Sequence, residues 1–262
     1  MSFYFIVTYS QYHHAVFGRF SNYITGNINT RYTDVQQYFY LRKTNDSLVK
    51  ANEALYNKLK QDYAIPDTVT REIIDTMRLD SLVQYKKITY LSARVVSNAV
   101  TSQSNFIVLS RGRDLGVKEG MGVVDVNNDV VGIVTDVDDK YAVVMSMLHK
   151  DSHISGKLEK SGETGTLNWN GEQPNVVTLT GIPKSAKVVK GDKVISSGFS
   201  TAFPKGLSIG KVQAIFKETR SNYFSIRIQT AADFHSLQYV YVIDNADREG
   251  ANNMLEKTKQ KH

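Results

Sequence analysis

The stretch Gly116–Val124 has the sequence Gly-Val-Lys-Glu-Gly-Met-Gly-Val-Val, and a Gly-Ile-Val run follows it at residues 132–134. A second stretch, Val189–Ile195, has the sequence Val-Lys-Gly-Asp-Lys-Val-Ile, and Gly-Lys-Val follows it at residues 210–212. In both, a Val-Lys pair leads to a glycine and then to two β-branched residues, as a tight turn that opens a strand requires. The likeness is either chance or an internal repeat. A repeat predicts two similar small β units in tandem.

Length, charge and cysteine content narrow the class of protein. The chain has 262 residues, which is enough for two small domains that each bury a core. Its 32 Lys and Arg outnumber its 26 Asp and Glu, giving a net charge of +6. This charge suits phospholipid head groups or nucleic acid, and equally an ordinary solvated surface. The absence of cysteine excludes disulfides, thiolate catalysis and cysteine metal sites.

The first residues have an unusual composition. Phe3–Val7 is apolar and aromatic, and tyrosines and histidines follow it. Five apolar residues cannot span a bilayer, which takes about 20. No basic segment precedes them, so they do not form a complete signal peptide. Two interpretations remain, an ordinary amphipathic helix start and the outer end of a transmembrane helix that begins earlier. We expect residues 1–23 to be the end of a membrane-anchor or juxtamembrane segment.

Residues 24–65 are predicted to form a coiled-coil helix. A heptad pattern begins at Tyr38, and its two core positions hold Tyr38, Asn45, Asn52 and Leu59 and then Leu41, Leu48 and Leu55. Leucine at one core position with asparagine at the other is typical of a parallel two-stranded coiled coil, in which the asparagine fixes the register. A single amphipathic helix packed on its own domain needs the same stripe, so both structures remain open. Pro66 ends the predicted helix because it disfavours helical geometry at Ile65.

Beyond residue 90 the apolar pattern changes to a period of two, which predicts strands. The predicted strands cover residues 93–100, 106–110, 122–126, 130–137, 141–148, 154–158, 165–169, 176–180, 193–197, 207–216, 224–230 and 239–243. Many short strands with Gly-rich turns are typical of small barrels or sandwiches. We expect a connector over 66–90 with one short helix at Val69–Met77, then a first barrel over 91–155 and a second over 156–245. Strands from the end of the chain are candidates to complete the first barrel, and residues 246–262 are predicted to be a disordered polar tail.

No catalytic constellation is complete in the sequence. Ser200 lies in Gly-Phe-Ser-Thr-Ala, which lacks the second glycine and the following helix of a nucleophile elbow. His149 and His153 are candidate bases, but no Gly-Asp-Ser-Gly-type segment of a chymotrypsin-like protease follows them. The same histidines lack the glutamate of a zinc protease between them. We therefore predict no catalytic, metal or cofactor site, and no nucleic-acid binding, since aromatic platforms beside the lysines are few.

The order of segments and several motifs resemble the family of the rod shape-determining protein MreC. The motif residues are Asn105–Leu109, Gly116–Val124, Gly132–Val137, Gly191–Gly198 and, as the strongest match, Phe203–Val212. The resemblance covers about residues 20–245 and departs at the N-terminus, where family members carry a full membrane span. The motif glycines expected at turns are Gly120, Gly122, Gly132, Gly191, Gly198, Gly206 and Gly210.

The resemblance implies a mostly β fold, with an N-terminal coiled-coil helix followed by two small β-barrel domains. The barrels would be similar in arrangement to chymotrypsin-like proteases without their triad. It also implies a non-enzymatic scaffold of the cell-wall elongation complex, the elongasome, that maintains rod shape. Such a protein crosses the inner membrane once and has its bulk in the periplasm. The implied partners are MreD, the rod-complex penicillin-binding transpeptidase, its glycosyltransferase and, indirectly, MreB, together with further copies in a homodimer or filament.

A mechanism follows from the resemblance as a hypothesis. The coiled coil holds two protomers in register, and the barrels bind the transpeptidase and bias it toward its active conformation. Exposed aromatic side chains of the second barrel would anchor the partner, with Phe199, Phe203, Tyr223 and Phe224 as candidates, although each is equally a candidate core residue. Competing classes are a chymotrypsin-like protease and a periplasmic adaptor subunit of an efflux or secretion system. Such an adaptor usually inserts a helical hairpin between two halves of a β domain.

Overall fold

The computed structural model describes residues 39–58, 63–64, 85–86, 88–217 and 221–245. A helix, α1, covers residues 39–56, and all the described strands follow it. The chain divides into two compact units, with the boundary between Ala51 and Asn52. The expected membrane-proximal segment at 1–23, the short helix at Val69–Met77 and the polar tail at 246–262 lie outside the described residues.

Twelve of the described strands form two closed barrels. The first barrel contains β3 (Ile88–Asn98), β4 (Phe106–Leu109), β5 (Gly122–Asp125), β6 (Val130–Val137), β7 (Ala142–Ser146) and β14 (Tyr239–Asn245). The second contains β8 (Ile154–Leu158), β9 (Thr164–Asn168), β10 (Val176–Pro183), β11 (Lys193–Ser196), β12 (Ser208–Lys217) and β13 (Tyr223–Thr230). A separate two-stranded sheet pairs β1 (Tyr63–Ala64) with β2 (Tyr85–Lys86). Each strand predicted beyond residue 90 coincides with an observed one, and the largest difference is the start of β3 at Ile88.

The strands follow one another around the two barrels in the same order, and only one position is filled from a different part of the chain. The first runs β14-β3-β4-β7-β6-β5 around its ring, and the second runs β8-β9-β10-β13-β12-β11. The place of β8, which precedes its barrel in sequence, is filled in the first barrel by β14 from the far end of the chain. β14 pairs with β3 from Tyr239 opposite Arg94 to Asn245 opposite Ile88, and it also pairs with β5. The expected completion of the first barrel by a strand from the end of the chain is therefore confirmed, and the range 156–245 includes one strand that does not belong to the second barrel.

The internal repeat is confirmed by equivalent hydrogen bonds. In each barrel the turn glycine donates its N–H to the valine carbonyl of the Gly-x-Val strand at 2.8 Å, and that valine donates back to the residue after the glycine at 2.9 Å. The residues are Gly120, Met121 and Val134 in the first barrel and Gly191, Asp192 and Val212 in the second. A β-bulge follows at the same point in both, after Val123 and after Val194. The glycine phrases thus build the same strand-opening turn twice.

The motif glycines serve two structural purposes, and only one of them was expected. Four have a positive φ that suits a turn, namely Gly120, Gly191, Gly198 and Gly206. The other three, Gly122, Gly132 and Gly210, lie inside β5, β6 and β12, so placing them at turns was wrong. A Cβ at these positions would lie only 2.1–2.4 Å from a backbone carbonyl oxygen. These glycines allow a close approach of neighbouring backbone.

Helix α1 ends at residue 56, earlier than the expected end at residue 65. Asn57 follows it and makes two hydrogen bonds with the backbone of Tyr90 in β3. Its Nδ2 donates to the Tyr90 carbonyl at 3.0 Å, and its Oδ1 accepts the Tyr90 N–H at 2.9 Å. These bonds hold the chain against the barrel, and β1 replaces helix at Tyr63–Ala64. Leu59, an expected coiled-coil position, lies beyond this end and outside the described residues.

The last turn of α1 packs on the first barrel through aromatic and charged side chains. The Tyr56 ring lies 5.2 Å from the ring of Tyr90 and 5.4 Å from that of Tyr241. Burial, together with the nearby Tyr56 and Glu53, raises the pKa of Tyr241 to about 12. The Glu53 carboxylate also lies 3.8 Å from the Arg111 guanidinium. None of these residues was singled out in the sequence, because isolated tyrosines and charges carry no pattern.

The repeat turn of the second barrel depends on a nearly buried carboxylate. The Asp192 side chain is 5% exposed. Its carboxylate accepts a hydrogen bond from the Lys160 ammonium at 2.8 Å and another from the Val189 N–H at 2.9 Å. The hydrogen bond from Lys160, followed by that from Val189, lowers the pKa of Asp192 below its ordinary 3.8. A lowered pKa means that folding favours the ionised form. The stabilisation that the Asp192 carboxylate contributes is therefore complete above about pH 4. It is lost as the pH falls through the lowered pKa of the folded state.

We expect Asp192→Asn to lower the free energy of unfolding at pH 7 by about 1 kcal/mol, the usual value for one lost hydrogen bond. The difference from the parent chain should shrink toward zero in strong acid, because the parent carboxylate is then neutral as well. Urea unfolding at neutral and at strongly acidic pH measures both values. Glu172→Gln changes an exposed carboxylate of the same barrel and is the control. An equal difference at both pH values would contradict the role assigned to the charge.

Candidate partner-binding surfaces

The described part of the predicted coiled-coil stripe is exposed along α1. Leu41, Leu48 and Leu55 have 58%, 57% and 62% of their surface exposed. Asn45 and Asn52, at the other core position, are exposed as well, and Tyr38 lies outside the described residues. Leucines at helical spacing on one stripe form the apolar seam that a second helix can cover. In this single chain the stripe is available for such a contact.

The loop between β11 and β12 presents one aromatic ring to solvent and buries another. Phe199 is 81% exposed, whereas Phe203 is 1% exposed. The backbone around Phe199 is held in place, because the Ser197 hydroxyl accepts the Phe199 N–H at 3.1 Å and the Ser200 hydroxyl accepts the Ala202 N–H at 3.1 Å. A ring on an ordered frame loses little conformational entropy when a partner covers it. Phe199 is therefore a well-placed anchor.

Phe203 instead joins the two barrels. A Cβ added to Gly122 of β5 would lie 2.6 Å from the Phe203 ring, so the ring rests on the bare backbone of the first barrel. A parallel bridge between Asp129 and Ser208 joins the barrels as well. Of the two alternatives open for Phe203, exposed anchor and core residue, the structure shows the core residue. The ring is covered because the glycine leaves room for it.

The start of β13 shows the same contrast between neighbouring aromatic residues. Tyr223 is 52% exposed, while Phe224 is 7% exposed and alternates to the inner side of the strand. The Lys217 ammonium lies 5.9 Å from the Phe224 ring centroid. Phe224 is thus a core residue, the second of the two alternatives open for it, and is not an exposed anchor. Of the four candidate anchors, Phe199 and Tyr223 are the two that present their rings to solvent.

The residues considered for catalysis each have a structural partner. The Ser200 hydroxyl accepts a backbone N–H of its own loop, as described above. His149 is 4% exposed, accepts the Asp151 N–H at 3.0 Å, and its ring lies edge-on to Phe106 at 4.8 Å. His153 Nδ1 lies 2.5 Å from Asn168 Oδ1. Within the described residues, no group of three or more His, Cys, Asp or Glu is placed to hold a metal ion.

The helices that the structure describes include none that is both long and apolar enough to cross a bilayer.

Comparison with known proteins identifies the family. The family model described as the barrel core of the rod shape-determining protein MreC matches residues 95–244, more than half of the chain. The chain belongs to the MreC family. The family resemblance and the expected fold, a mostly β chain with an N-terminal helix and two barrels, are both confirmed.

Individual MreC proteins show how far the likeness extends. The cell shape-determining protein MreC of Listeria monocytogenes is 27% identical over 163 residues, which cover 61% of this chain and 55% of that protein. The chain spans about half the length of the curated relatives it matches. The solved structure of MreC from Listeria monocytogenes superposes with a TM-score of 0.57 at 22% identity, over 86% of this chain and 96% of that one.

A further solved structure is a complex between the penicillin-binding protein PBP2 and MreC from Helicobacter pylori. Its matched chain has a TM-score of 0.50 at 20% identity, over 61% of this chain and 99% of that one. At this identity the likeness concerns the fold. The curated relatives carry the name cell shape-determining protein MreC.

Proposed function

We propose that this chain is a non-enzymatic scaffold of the cell-wall elongation complex and that it maintains rod shape by bringing peptidoglycan synthases together. Membership of a family of cell shape-determining proteins supports this role. The observation that carries it is the exposure of Phe199 on a hydrogen-bonded loop, because an 81% exposed ring on an ordered frame is a typical interface anchor. A scaffold works through such surfaces and needs no catalytic group.

Self-association is the first part of the proposal. The exposed leucines of α1 are expected to pair with the same leucines of a second copy, giving a parallel coiled coil. Asn45 and Asn52 would then meet their counterparts within the seam and fix the register. The dimer, or a filament grown from it, would present two sets of barrels side by side.

Binding of the rod-complex penicillin-binding transpeptidase is the second part. The complex of PBP2 with an MreC protein from Helicobacter pylori supports a partner of this class. Phe199 and Tyr223 are the proposed anchors on the second barrel. A scaffold activates an enzyme only if it binds the active conformation more tightly than the inactive one. We therefore propose such a differential affinity.

The remaining partners follow from the family role. We propose MreD and the glycosyltransferase that works with the transpeptidase as direct neighbours, and MreB as an indirect one. We also propose anchoring in the inner membrane by a single span, with the barrels in the periplasm.

The experiment that tests the scaffold role measures the purified transpeptidase with and without this chain. Surface-immobilised chain reports the affinity, and a peptide cross-linking assay on lipid II polymer reports the activity. We expect saturable binding and a faster cross-linking rate. Unchanged activity together with undetectable binding would overturn the proposal.

Phe199→Ala should weaken transpeptidase binding by about tenfold or more, since truncating an interface hot spot costs about 2 kcal/mol or more. The melting temperature should not change, because the ring makes few contacts within the fold. Val189→Ala shortens another exposed apolar side chain of the same barrel, 58% exposed, and should leave the affinity within about twofold. Equal effects of the two variants would remove Phe199 from the interface.

A further inference from the structure

Two lysines face each other on the outer side of the second barrel. Lys193 of β11 and Lys211 of β12 are register partners in an antiparallel pair, and both are exposed. Partners in such a pair point to the same side of the sheet, so the two lysine side chains leave the barrel next to each other. Like charges directly opposite each other destabilise a sheet. Among the described residues, neither lysine forms an ion pair.

The lysine pair borders a groove of about 420 Å³. Ile195 and Ala231 contribute apolar surface to it, and Gly206 and Gly210 line it without adding side chains. The volume lies within the range of about 300–1,000 Å³ that is usual for ligand sites. The groove can thus take a short piece of extended chain, with a charged side chain at the lysines and an apolar one along the wall.

The positive charge continues along the same face of the barrel. Lys211 is the register partner of Gln229, and Arg227 lies two residues before Gln229 on the same side of β13. The Arg227 guanidinium lies 5.1 Å from the ring of Phe216, which is 43% exposed. Glu159 is the one carboxylate among the residues that line the groove. The face as a whole therefore favours an anionic ligand with apolar neighbours.

We propose that this groove binds a short extended segment of a protein partner that carries a carboxylate side chain. The carboxylate lies between the ammonium groups of Lys193 and Lys211 and removes their repulsion. An adjacent apolar side chain of the segment packs against Ile195 and Ala231. The inference rests on the proposed function in one respect, that the partner is the penicillin-binding transpeptidase.

The test compares two double variants with equal changes of charge. Lys193→Glu with Lys211→Glu reverses both charges at the groove, and Lys187→Glu with Lys190→Glu reverses two other exposed lysines of the same barrel. The affinity of the purified transpeptidase for each chain is measured at low and at high ionic strength. We expect the groove variant to bind about tenfold or more weakly than the parent chain and to lose most of the salt dependence. The control variant should stay within about threefold of the parent chain.

A second double variant, Lys193→Gln with Lys211→Gln, removes both charges without reversing them. It keeps the test valid if the charge reversal disturbs folding. Removing the repulsion should leave the melting temperature at or above that of the parent chain, while the affinity for the transpeptidase falls. If the parent chain does not bind the transpeptidase, the proposed function fails. If the parent chain binds and the groove variants bind as tightly as the control, the groove inference alone is overturned. Vesicles of phosphatidylglycerol test the other source of negative charge. If the same two lysines bound these vesicles as tightly as they bind the transpeptidase, the proposal that a protein segment occupies the groove would be overturned.

Discussion

Leu48→Asp is expected to abolish self-association of this chain in solution. Leu48 is 57% exposed in the single chain and lies at the centre of the leucine stripe of α1. In a parallel dimer the substitution would place two ionised carboxylates next to each other in an apolar seam, which is costly. We expect the dissociation constant of the dimer to rise by about 100-fold or more. Sedimentation equilibrium across micromolar concentrations measures this change.

Ser47→Asp is the matched control for the helix. Ser47 is exposed on α1 and precedes Leu48, but it lies outside the two core positions of the heptad. Ser47→Asp adds the same charge to the same turn of the helix. A rise in the dimer dissociation constant that both variants share would therefore reflect a loss of helix stability. A parent chain that is a monomer at all concentrations would contradict the coiled coil. A dimer that survives Leu48→Asp would place the interface elsewhere.

Phe203→Ala is expected to lower the free energy of unfolding by about 3–5 kcal/mol, the usual cost of emptying the site of a buried phenylalanine. The ring is 1% exposed and rests on Gly122 of the other barrel, so its loss leaves a cavity at the junction. Equilibrium unfolding in urea, followed by tyrosine and tryptophan fluorescence, measures the loss. Separate transitions for the two barrels would show that the junction supplies their cooperativity.

Phe199→Ala removes an identical side chain from the same loop and should change the free energy of unfolding by less than about 0.5 kcal/mol. The pair of variants thus separates two functions of one loop. Phe203 maintains the structure, and Phe199 is expected to bind the partner. If both substitutions cost the same in stability, the assignment of one ring to the core and the other to solvent would be wrong.

The sequence was informative where a local pattern determines local structure. The alternation of apolar residues located the strands, and the glycine phrases predicted a duplicated turn whose hydrogen bonds are equivalent in both barrels. The pattern was less informative where a distant segment decides the outcome. Gly122 was expected at a turn, yet it lies in β5, where it pairs with β14 and β6 and leaves room for the Phe203 ring. The helix ends well before Pro66, at the point where Asn57 pairs with the backbone of Tyr90, a distant residue that the heptad pattern does not reveal.

The candidate site could be predicted only in part, for the same reason. Phe199 and Phe203 lie in one short loop, and no local pattern distinguishes an exposed ring from a buried one there. In β13 the alternation of side chains separates Tyr223 from Phe224 once the inner face is known. The opposition of Lys193 and Lys211 depends on the register of β11 and β12, which the spacing of residues does not reveal.

The position of β14 has a consequence for the order in which the chain acquires its structure. The second barrel is contiguous in sequence, from Ile154 to Thr230, and can close while the chain is still being made. The first barrel cannot close before Tyr239–Asn245 has been synthesised. Until then β3 and β5 each have an unpaired edge. Open edges invite pairing with other chains. A chain cut just after Thr230 would therefore keep the second barrel folded and lose the first. A truncation at the C-terminus would thus unfold the barrel that lies nearer the N-terminus.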